Sequence, residues 1–129
     1  MKTPTKYMLT EEEFEAVVHE SLEELPEELA SKLENIDIFI EDYPSQEILR
    51  GMKVSKYGLL GFYTGVPQKH RSPTGYFNAM PDRIYLFKKN LESFCGSREE
   101  LKEQIQRTVL HEIGHFFGID DKRLRELGF

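Results

Sequence analysis

Two hydrophobic periods alternate along the chain. Phe14, Val17, Val18, Leu22 and Leu25 recur three and four residues apart with glutamates between them, which predicts a helix with one buried face. Thr10 and Glu13 open it at the spacing of a capping box, in which each side chain satisfies a free backbone N–H of the other residue. Pro26 stops this helix and suits the first position of another, running through Leu29 and Leu33. Ile36-Asp37-Ile38-Phe39-Ile40 then alternates with period two and is rich in β-branched residues, the pattern of a strand.

Residues 44–56 are irregular, with room for one helical turn. Residues 59–64 and 83–87 read as the second and third strands. The loop 68–82 between them is broken by Pro73, Gly75 and Pro81, and a loop of that length in a small domain often serves function. Ser97 and Glu100 repeat the capping-box spacing, and a helical pattern runs from 98 to 117, about 30 Å at the standard rise. Gly118 is a natural stop, because glycine accepts the left-handed conformation that ends helices. A last short helix is expected over 122–127.

The 129 residues are enough for one core, so 1–129 is expected to form a single domain. Hydrophobic residues at 39% and charged residues at 31% are ordinary for a soluble globular protein. Acidic residues outnumber basic ones 23 to 17, which argues against a nucleic-acid partner. The short basic runs at 69–71, 88–89 and 122–123 read as solvated surface. One cysteine, Cys95, excludes an internal disulfide and fits a reducing compartment; between Phe94 and Gly96 it reads as a packed, inert thiol. No apolar leader opens the chain and no run is long enough to span a membrane. The expected location is the cytoplasm, with no membrane partner.

The chemistry concentrates in His111-Glu112-Ile113-Gly114-His115. At about 100° per residue, His111 and His115 share a helix face one turn apart, so both imidazoles can converge on one ion. The apolar stripe of Leu101, Ile105, Val109, Ile113 and Phe116 lies about 130° around the helix. Glu112 is offset enough to reach a water at the metal without ligating it. Catalytic zinc takes three protein ligands and keeps one position open, and a left-handed turn at Gly118 would swing Asp121 back as the third. Asp120 competes by one residue of register; spacing favours Asp121 and leaves Asp120 as a cap or outer partner. Shuffling this composition gives His-Glu-x-x-His in roughly one chain in 60, and the added Gly and Asp in roughly one in twenty thousand. Blander readings are an accidental histidine pair, a plain C-cap and an N-cap aspartate. The conjunction on one capped amphipathic helix favours the metal.

From these residues the chain resembles the zincin metallopeptidases, specifically the minimal bacterial ones whose motif reads His-Glu-x-x-His-x-x-Gly-x-x-Asp. The likeness extends to Leu60-Gly61-Phe62-Tyr63-Thr64-Gly65-Val66-Pro67, to Arg71, to residues 81–87 and to residues 124–129, and it covers the chain from about Phe14 onward. It implies an α+β zincin-like fold, with a small mixed sheet packed on a long active-site helix and further helices before it. It also implies Zn2+ held by His111, His115 and Asp121. The metzincins carry a third histidine and a methionine turn. Here Asp121 stands where that histidine would be, and none of the eight residues after it is Met, so no lower cleft wall is expected from that part of the chain.

The expected activity is hydrolysis of a peptide or protein substrate, with Glu112 as general base. Tyr63, Tyr76 and Tyr85 are oxyanion donors by residue type only, with packing as the blander role. His70 and Arg71 in the loop are candidate substrate contacts against the plainer reading of a basic surface pair. An edge strand, 59–64 or 83–87, would receive an extended peptide, and a second copy in a homo-oligomer would complete the cleft. Two rivals stand beside this: a non-catalytic zinc-binding interaction module, and a zinc hydrolase with a non-peptide substrate. Glu112 favours an enzyme, since a structural site has no need of it.

Overall fold

The computed structural model describes residues 8–65 and 82–129, with His115 and Phe116 described in backbone alone. Helix α1, Glu11–Glu23, opens on the capping box: Thr10 Oγ1 accepts from Glu13 N, and the Glu13 carboxylate accepts from Thr10 N. Pro26 takes the cap position of α2, Glu27–Ala30, rather than its first helical position, because its ψ of 146° is extended. The helix then tightens into a 3-10 turn, Ser31–Leu33. Strand β1, Ile36–Glu41, follows, and Ser45 caps the single turn of α3, Gln46–Leu49. Next come β2, Gly61–Thr64; β3, Asp82–Phe87; α4, Lys88–Phe94; α5, Arg98–Phe117; and α6, Asp121–Glu126.

Among the described residues the three strands form one mixed sheet in the order β1-β3-β2. β1 runs parallel to β3, with Ile38 opposite Ile84, and β2 runs antiparallel to β3, with Tyr63 opposite Ile84. Among the described residues, the strand expected over 83–87 is therefore the centre of the sheet, and the segment 61–64 is an edge. Alternation along β3 turns Ile84 and Leu86 inward, where they join Phe14 and Val17 of α1 and Leu101 and Ile105 of α5; all six are fully buried. α1 packs along α5, and α5 lies against β2 and β3. The architecture is α+β, a small mixed sheet on one long helix.

Two local expectations fail for physical reasons. The basic run 88–89 is expected as solvated surface, yet α4 forms there and Lys88 is buried. β3 passes into α4 without a loop, so Lys88 still points inward. Its Nζ lies 3.0 Å from Glu92 Oε2 and 5.9 Å from the centre of the Phe14 ring, and the same Glu92 oxygen accepts from Leu9 N at 2.9 Å. A buried charge of this kind persists because it is paired one turn away on the same helix. The second concerns α5. Ser97 Oγ accepts from Glu100 N, but the Glu100 carboxylate bonds Gly96 N at 2.6 Å instead of returning to Ser97, so the box is shifted by one residue.

Candidate metal centre

Helix α5 separates two environments. Leu101, Ile105, Val109, Leu110 and Ile113 are fully buried, while the His111 side chain is 45% exposed on another face. The helix ends at Gly118, whose φ of 71° is left-handed and unstrained only for glycine. The chain then folds back: Ile119 N donates to Gly114 O at 2.9 Å. A Cβ on Gly114 would stand 2.8 Å from the Ile119 carbonyl oxygen, so this close return needs a glycine inside the motif. Leu124 and Ile119 anchor the returning segment in the core.

Asp120 is the N-cap of α6 and accepts from Arg123 N at 2.8 Å. Asp121 therefore begins the helix, with Oδ1 3.6 Å from His111 Nδ1. That distance is too long for a hydrogen bond. It is close to the roughly 3.4 Å that separates two donors of one tetrahedral zinc with bonds near 2.1 Å, and an imidazole with a carboxylate suits that ion. The residues present thus fit a zinc ion. The His115 side chain lies outside the described residues. Among those described, no three His, Cys, Asp or Glu side chains form a ligand group. Of the expected ligands, the structure brings together His111 and Asp121.

Glu112 is held from across the sheet edge. Its Oε1 accepts from Tyr63 N at 3.0 Å. Alternation along an antiparallel pair turns this N–H away from β3, towards α5. β2 can come so near because residue 61 is glycine: a Cβ there would stand 2.6 Å from Thr108 Cγ2. Tyr63 is fixed at its other end as well, donating its hydroxyl to Asp82 Oδ2 at 2.6 Å in a buried pair. That bond assigns Tyr63 a structural role rather than that of an oxyanion donor. Tyr85 stacks on Phe39 with ring centres 5.5 Å apart. Tyr76, His70 and Arg71 lie outside the described residues.

Beside His111 and Glu112 opens a cleft of about 450 Å³, walled by Leu60, Gly61, Arg107, Thr108 and Phe129 among others. None of these stood out as cleft residues in the sequence, although positions 104, 107 and 108 continue the helical face of His111 and periodicity alone could have found them. Cys95 takes no part. Burial, and then the nearby Glu100 carboxylate, push its thiol up to about 11, which leaves it un-ionised at neutral pH. Among the described residues no helix is long and apolar enough to cross a membrane.

The family described as zincin-like metallopeptidase matches residues 33–129. In structure, the chain is similar to a conserved hypothetical protein from Thermus thermophilus, with a TM-score of 0.56 and 26% identity over 84% of this chain and 94% of that one. No curated protein matches.

Proposed function

Because this chain belongs to the zincin-like metallopeptidase family, we propose that it is a zinc-dependent peptidase working on the face of α5 that carries His111 and Glu112. The family is one of zinc metallohydrolases; the peptide bond as target is our reading. His111 and Asp121, with His115 one turn further along the helix, would hold the ion. When bound, zinc makes a water acidic near neutrality and polarises the scissile carbonyl. Glu112 moves the proton: its carboxylate takes one from the attacking water and returns it to the leaving nitrogen. The Tyr63 N–H holds one oxygen of that carboxylate, and the close seat of β2 on α5 fixes the height of the base above the cleft. An extended peptide would lie on the outer side of β2, where the Tyr63 N–H is already taken by Glu112 and main-chain pairing falls to the rest of the strand.

The observation that carries this reading is the 3.6 Å approach of His111 to Asp121, with Glu112 bonded beside it. Metal analysis of the purified protein beside His111→Ala and Asp121→Ala tests the ligands, and stoichiometric zinc retained by both variants would sink the assignment. Cleavage of a proteome-derived peptide library tests the chemistry. Wild type should cut, and Glu112→Gln should lose about 10²–10⁴-fold in rate with zinc still bound. Equal cutting by both, or none by either with zinc in place, would point to an interaction module or a non-peptide substrate. Sedimentation of the zinc-loaded protein tests the homo-oligomer.

A further inference from the structure

The cleft wall along α5 carries Gln104, Arg107 and Thr108 ahead of His111. The Gln104 amide is committed to the Thr108 hydroxyl at 3.3 Å. Arg107 is exposed and makes no ion pair or hydrogen bond among the described residues. Glu103 precedes it by four residues, the spacing at which Glu and Arg pair on a helix surface, and the chain is acid-rich, with 23 acidic residues to 17 basic. Arg107 lines the cleft with the apolar Leu59 and Leu60, and Glu112 is the one carboxylate side chain among the described residues of that lining.

We infer that Arg107 is a specificity-determining residue that selects substrates bearing a carboxylate close to the scissile bond. The inference rests on the peptidase reading above and adds the substrate class. One helical turn, about 6 Å along the axis, separates Arg107 from His111. An extended peptide advances about 3.3 Å per residue, so the selected carboxylate lies about two residues from the bond that is cut. Arginine is suited to the task because its planar fork matches both oxygens of a carboxylate. A Glu or Asp side chain and a free C-terminal carboxylate present the same chemistry, and Leu59 and Leu60 favour an apolar neighbour in either case.

Binding can be read without turnover. In the zinc-loaded Glu112→Gln protein, fluorescence anisotropy compares three labelled peptides of one length: an amidated neutral peptide, its amidated variant with one internal Glu, and the neutral peptide with a free C-terminus. At least one carboxylate-bearing peptide should bind about five-fold more tightly than the neutral one, the size of an exposed charge pair, and which one does identifies the source. Arg107→Gln in the same background should erase that ratio, and Arg107→Glu should reverse it. Equal affinities, a preference that survives Arg107→Gln, or no binding by any peptide overturns the inference. Library cleavage by the wild type is scored separately. Cleavage without acidic preference removes the role of Arg107 and keeps the peptidase; acidic preference in binding without cleavage does the opposite.

Discussion

The two halves of α5 handle acidic side chains in opposite ways. In the first half, fixed cations meet them: Arg98 pairs with Glu20 of α1, and Lys102 bonds Glu20 at 3.0 Å and Glu24 at 2.8 Å. In the second half, Asp121 faces an imidazole at 3.6 Å, and Glu112 accepts from a backbone amide at 3.0 Å. The first arrangement neutralises its carboxylates within the protein and fastens α1 to α5. The second sets an Asp carboxylate and an imidazole nitrogen at the separation of two ligands to one metal, beside an oriented carboxylate. One helix is therefore a beam at its start and carries the candidate site at its end.

Breaking the site half should have the largest effect. Asp121→Ala is expected to weaken zinc binding by more than about 100-fold, beyond what outer-shell partners usually cost, while the metal-free protein keeps its stability. Competitive titration against a chelator measures it. Gly114→Ala should come next, because the Ile119 carbonyl that the new methyl meets is backbone and yields poorly. A loss of about 1–3 kcal/mol is expected in denaturant unfolding, with weaker zinc binding as α6 shifts. Asp120→Ala sharpens the contrast with its neighbour. It removes a helix cap, so about 1 kcal/mol of stability should go with zinc affinity nearly intact; a loss of zinc equal to that of Asp121→Ala would reverse the assignment of the two aspartates.

The beam half should respond least. Lys102→Met should lower Tm slightly at neutral pH and low salt, and less at high salt. Arg98, and then Lys102, hold the Glu20 carboxyl below its ordinary range. The stabilisation from Glu20 is thus fully present above the ordinary carboxylate pKa and disappears as pH falls through the lowered value. Melting curves of wild type and Lys102→Met should converge on acidification; a constant gap would show that packing of the lysine stem, not charge, carries the difference.

Much of this was legible in the sequence where the cause is local. Ser97 and Gly118 mark the ends of α5 because a hydroxyl cap and a left-handed glycine act on their immediate neighbours. The start of α1 follows from Thr10 and Glu13 for the same reason. α4 escaped because its N-cap is Phe87, which offers no side-chain cap, and because Lys88 and Glu92 look solvent-facing until β3 delivers them inward as a pair. The order of the sheet was not legible either. Which strand is the edge depends on pairings such as Ile38 with Ile84, nearly fifty residues apart, and no turn chemistry encodes them. Within the site, the spacing from His111 to Asp121 was readable, but the amide that holds Glu112 was not. It belongs to Tyr63, and the contact exists only because glycine at 61 lets one strand sit low on the helix.

That α5 and α6 jointly supply the candidate ligands has a consequence for hydrogen exchange. The amides around Ile105 and Val109 sit above fully buried side chains, so their protons should exchange only when the whole molecule opens. α6 is six residues long, with Leu124 as its buried side chain, and short elements of this kind open on their own at low cost. A ligand set drawn from both would couple the slowest-exchanging part of the chain to one of the fastest. Zinc would then be felt less in the melting of the core than in the protection of residues 121–127, whose amides would report occupancy one turn at a time.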